Sequence, residues 1–115
     1  SGSLTEKLKK IPTRLGMPLR EAVTELGNGV TADESVPLAL FAFLRWLPVF
    51  EDVVVNTARC GGDVDTIAAM SGALAGAALG AVKLPQLWLE NAEGFEETTG
   101  LADRLHALWL SRNTK

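Results

Sequence analysis

From Thr66 to Val82 the chain carries no charged residue, and Gly72, Gly76 and Gly80 recur through this stretch every four positions. Ala and Gly dominate it, with few β-branched residues, so its natural form is a helix without a water-facing side. It falls a little short of the roughly 20 residues that span a bilayer, and it lacks the Leu and Ile of a membrane helix. The expectation is a buried core helix and no membrane span. Each interior glycine costs roughly 1 kcal/mol of helix propensity against alanine. Close approach of another helix would offset that, since small side chains let backbones come together. A dimerising face of the GxxxG kind is the alternative. On the packing view, Gly76→Leu should cost more than a surface change.

The rest of the chain is punctuated in helical lengths. Leu4, Leu8 and Ile11 make one stripe, opened by a capping-box pattern at Ser3 and Glu6 and ended or bent by Pro12. Leu19, Ala22, Val23 and Leu26 make a second, with Pro18 in its first turn and Gly27 as its stop. Gly27-Asn28-Gly29 reads as a turn. Thr31 and Glu34 form another capping-box pattern, opening a helix to about Leu47 that is uncharged from Val36 to Leu44, hence central; Pro48 closes it. Phe50 to Cys60 reads as helix despite Val53-Val54-Val55, because acids precede and Arg59 follows them. Gly61-Gly62 breaks the chain, and Asp63 opens the long helix to about Val82. Pro85 starts a short turn carrying Trp88. The last helix runs to about Arg112 with Leu101, Leu105 and Leu108 as its expected buried stripe. The fold class is all-α, a compact bundle of about six or seven helices. Residues 1–3 read as a cloning scar and 4–115 as a single helical domain.

With 11 Lys and Arg against 14 Asp and Glu, the formal charge is −3, so a sequence-independent hold on nucleic acid is a poor fit. One cysteine, Cys60, allows no internal disulfide, and a cytoplasmic location is the expectation.

Gly61-Gly62-Asp63-Val64-Asp65-Thr66 is the most informative segment. Asp63 and Thr66 are neighbours on one helix face, and Asp65 can turn toward them. Two carboxylates and a hydroxyl on a rigid element suit Mg²⁺, which takes oxygen ligands in an octahedron. The other reading is plain capping, since acids in a first turn complement the helix dipole.

The run Gly61-Gly62-Asp63-Val64-Asp65-Thr66-Ile67-Ala68-Ala69-Met70, continued by Ser71-Gly72-Ala73-Leu74-Ala75-Gly76-Ala77, resembles the C-terminal signature of the ADP-ribosylglycohydrolases. Glu25-Leu26-Gly27-Asn28-Gly29-Val30 with Glu34-Ser35-Val36-Pro37 resembles the segment that precedes it, and Leu84-Pro85-x-x-Trp88 the one that follows. The likeness covers about residues 4 to 110. It implies an all-α fold, a two-magnesium site and hydrolysis of the bond joining ADP-ribose to a protein side chain or to another ADP-ribose. It makes Asp63, Asp65 and Thr66 metal ligands and lays Asn28, Gly29 and Val30 along ADP-ribose. Val64 stands where the family usually has Thr. Family members are longer, and their N-terminal part brings a Thr-Asp-Asp trio and a further acid; no Thr-Asp-Asp occurs in this sequence.

The resemblance is thus to the C-terminal part of an enzyme. Faces that would pack on the remainder should draw a homodimer or a complementing polypeptide. Three functions follow: an ADP-ribose-binding or interaction module, catalytically incomplete alone; an Mg-dependent hydrolase completed by dimerisation or a partner chain; or a structural helical protein. His106 reads as a surface or packing residue and Cys60 as a small core residue. Trp46, Trp88 and Trp109 read as core. Glu90, Glu93, Glu96 and Glu97 read as a solvated acidic face.

Overall fold

A computed structural model describes residues 3–113, so Ser1 and Gly2 of the tripeptide read as a scar lie outside the described residues. Among these the chain forms seven α-helices and one 3₁₀ turn, with no strand. They fall into two compact units, one ending at Leu84 and one beginning at Pro85. The all-α expectation holds.

In the first unit, α1 spans Leu4–Arg14, α2 Leu19–Leu26, α3 Ala32–Trp46, α4 Phe50–Ala58 and α5 Val64–Leu79, followed by the 3₁₀ turn Ala81–Lys83. The uncharged helix α3 lies at the centre and touches α1, α2, α4 and α5. It is buried on more than one face, through Ser35, Pro37, Leu38, Ala39, Phe41 and Ala42. Ile11, Leu26, Cys60 and Ile67 complete the core around it. Cys60 is a buried core residue as expected, and burial pushes its thiol up in pKa, away from the reactive thiolate.

The helix ends follow local chemistry. The Glu6 N–H donates to the Ser3 hydroxyl at 3.3 Å, the expected cap of α1. Pro12 neither ends nor replaces that helix, which continues to Arg14. At α3 the expected capping box does not form. The Thr31 hydroxyl turns to the Asp33 carboxyl, whose pKa it lowers, and the Glu34 side chain reaches back to Gly29 in the loop that leads into α3.

α5 ends three residues earlier than the uncharged run, at Leu79, because Gly80 takes a φ of 81° that halts the helix. This also corrects the reading of the glycine row. Gly80 is a helix stop. Gly72 faces α4, where a Cβ would sit 3.6 Å from Val54, and nothing lies within 4 Å of a Cβ placed on Gly76. The close approach of α3 and α5 is made instead by Ala39, Ser71 and Ala75, all buried, with the Ser71 hydroxyl donating to the Ala39 carbonyl at 3.0 Å. With space at position 76, helix propensity decides. Gly76→Ala is expected to stabilise the fold by roughly 0.5 to 1 kcal/mol, read as an upward shift in thermal denaturation.

The second unit holds α6, Gln86–Asn91, and α7, Phe95–Asn113. The expected buried stripe of α7 is corrected: Leu101, Leu105 and Leu108 are all exposed, at 58%, 69% and 49%. Two helices, one of six residues, cannot enclose a core. Trp88 and Trp109 are likewise exposed, and Trp46 is half-buried, edge-on to Phe41. His106 is exposed and stacks on Trp109, a packing role as expected. No described helix is long and apolar enough to cross a membrane.

Candidate functional site

The two candidate sets stand more than thirty positions apart in sequence and adjoin in the fold. α2 ends at Leu26, and the five residues from Gly27 to Thr31 loop across to the turn between α4 and α5. There Asn28 bonds the turn twice. Its carbonyl accepts from the Asp63 N–H at 2.8 Å, and its side-chain amide donates to the Cys60 carbonyl at 2.9 Å. The glycines make room for this. Gly62 has φ 65°, and a Cβ on it would overlap the Asn28 carbonyl.

This docking sets up the start of α5. Asp63 is the N-cap residue, yet its side chain makes no capping hydrogen bond; its backbone N–H is the group tied to Asn28. Asp65 caps only lightly, its Oδ1 accepting from the Thr66 N–H at 3.1 Å. Asp65 is held below the usual carboxylate pKa range, first by the polar contact of the Asp63 side chain and then by the Thr66 amide. The two carboxyls are therefore adjacent. Asp63 is half-buried, and Asp65 and Thr66 are exposed.

A lowered folded-state pKa contributes stability that is present above the ordinary aspartate range and lost as pH falls through the lowered value. The Asp65 carboxyl is therefore expected to titrate below that ordinary range, as followed by its carboxyl ¹³C shift.

The ligand-loop candidates are less uniform. Asn28 spends its side-chain amide and its carbonyl on the α4–α5 turn. The Gly29 N–H donates to Glu34 Oε1 at 2.9 Å, and a Cβ on Gly29 would come within 2.7 Å of that oxygen. Val30 is 80% exposed. Glu34 bonds the loop five positions before it, a partnership that its capping-box spacing to Thr31 hides. Lys7 carries no signal in the sequence. It is 3% exposed, and its ammonium donates to the Leu26 and Asp33 carbonyls, each at 2.8 Å.

As chemistry, the α5 start offers hard oxygen donors only, two neighbouring carboxyls and a hydroxyl. That set fits a hard divalent cation such as Mg²⁺. No cluster of three or more His, Cys, Asp or Glu that could hold a metal occurs among the described residues. Glu90, Glu93, Glu96 and Glu97 are exposed, as expected of a solvated face.

The chain belongs to the ADP-ribosylglycohydrolase family, whose sequence profile matches residues 2–114. It is 39% identical over 118 residues to mouse ADP-ribosylhydrolase ARH3, and this covers 91% of the chain and 32% of that protein. Human ADP-ribosylhydrolase ARH3 gives the same identity and coverage. An uncharacterized protein of Archaeoglobus fulgidus is 32% identical over 107 residues, covering 93% of the chain and 34% of that protein. The chain thus spans about a third of the length of these relatives.

Proposed function

We propose that this chain supplies one wall of a magnesium-dependent ADP-ribose site. In this reading it is a binding or interaction module, catalytically incomplete by itself. The observation that carries this is the docking of Asn28 on Asp63, which sets a candidate nucleotide loop beside two adjacent carboxyls. Asp63, Asp65 and Thr66 would hold the cation. Asn28, Gly29 and Val30 would lie along ADP-ribose. Bound there, Mg²⁺ would supply a Lewis acid and an orienting template.

The chain's own residues bind and position. Asn28 fixes the distance between loop and helix start. Asp65, held below the usual carboxylate range by its neighbours, would bring negative charge to the cation. Mg²⁺ takes six oxygens, so three protein donors leave half of the shell to water, substrate or another polypeptide. A second copy of the chain or a complementing polypeptide would bring the remaining acids, and turnover of ADP-ribosyl bonds would require it.

Calorimetric titration with ADP-ribose, with and without Mg²⁺, tests this. Binding is expected only with the metal, and Asp63→Ala and Asp65→Ala are each expected to weaken it at least tenfold. If both variants bind as the parent does, the assigned ligand roles are wrong. Release of ADP-ribose from a modified protein by this chain alone would sink the claim of incompleteness.

A further inference from the structure

We propose that Lys7 is a positioning residue for the Asn28-Gly29-Val30 loop, holding both of its stems from α1. The inference rests on the ADP-ribose reading above only for the loop's ligand role. Leu26 is the last residue of α2, so its carbonyl has no partner inside the helix. Asp33 lies in the first turn of α3, and the residue four positions on is Pro37, which has no N–H to give to the Asp33 carbonyl. Two backbone acceptors are therefore left over, one on each side of the loop. One ammonium satisfies both at 2.8 Å, from a side chain 3% exposed.

Hydrogen bonds from an ionised donor are short and strong, and a buried carbonyl left unpaired is costly. The separation of the two stems is therefore set by a single atom, Nζ of Lys7. The loop tip inherits that setting. Glu34, one residue beyond the Asp33 stem, accepts from the Gly29 N–H, and Asn28 meets the Asp63 N–H and the Cys60 carbonyl. Lys7 thereby acts on the α5 carboxylates through Asn28, without being placed in contact with them.

Backbone amide hydrogen exchange on the full ¹⁵N-labelled chain separates this role from general stability. Lys7→Met keeps the unbranched apolar stem, one atom short of the ammonium nitrogen, and removes the donors. It is expected to speed exchange at Gly29 and Asp63 at least tenfold more than at Ala75, on the buried face of α5. Equal acceleration at all three amides, or none at the first two, would overturn the proposal. If Lys7→Met leaves too little folded chain, Pro37→Ala makes the same comparison. It gives the Asp33 carbonyl an amide donor within α3 and loosens Lys7 from one stem, and selective acceleration of at least threefold is expected; its absence counts against the proposal. Titration with ADP-ribose and Mg²⁺ is expected to give a Kd at least fivefold weaker for Lys7→Met, and an unchanged Kd would refute the link to the ligand. A parent chain that binds no ADP-ribose sinks the ligand reading alone, since exchange is measured without ligand.

Discussion

Gly62→Ala is expected to destabilise the first unit by about 3 kcal/mol or more, against roughly 1 to 2 kcal/mol for Gly61→Ala. Both glycines have left-handed φ, 65° and 72°, so an alanine at either is strained to a similar degree. The surroundings differ. A Cβ on Gly61 would sit 3.3 Å from the Asn28 side-chain amide, a crowding that a shift of a few tenths of an ångström in its hydrogen bond to the Cys60 carbonyl relieves. On Gly62 it would run into the Asn28 backbone carbonyl, which is pinned by the Asp63 N–H. Either the loop lifts off the α5 start or the turn is rebuilt. Urea denaturation of the two variants reads the difference. Equal losses would show that backbone conformation alone, and not the seating of Asn28, demands glycine there. The same variant should weaken any ADP-ribose binding.

Phe41→Ala should lose about 3 to 5 kcal/mol. The ring is fully buried on the central helix and edge-on to Trp46, with centroids 6.0 Å apart. α3 is enclosed by four helices, so there is little freedom to collapse around the hole. Leu105→Ala provides the contrast. It removes a larger aliphatic group than many core changes do, yet Leu105 is 69% exposed, and the expected loss is within about 0.5 kcal/mol. Denaturant midpoints of the two variants check both statements. A core-sized loss at Leu105 would show that the α7 stripe has a partner in solution.

Helix positions were legible because the signals are local. Gly27 and the Gly61-Gly62 pair stopped helices through positive φ, a property of the residue itself. The central place of α3 followed from its lack of charge. That Asp63 and Thr66 share one helix start could be read from spacing, whereas residues two apart do not face each other on a helix. What the sequence hid were the long-range partners. Glu34 looked like half of a capping box, a local motif, and instead bonds Gly29. Nothing in the sequence around Lys7 marks it, and it is buried on two carbonyls, one of them freed by a proline thirty residues away. The glycine row of α5 looked like a single packing face and is three separate things: a contact with α4, an open position and a helix stop.

By itself the sequence determined the helices and the family to which the chain belongs, since φ preference, hydrophobic period and motif are carried by near neighbours. Only the tertiary structure decided which apolar faces are enclosed and which polar groups meet. A stripe such as Leu101, Leu105 and Leu108 specifies that a face is apolar but not that anything covers it. A buried carbonyl likewise takes whichever donor the packing brings within reach.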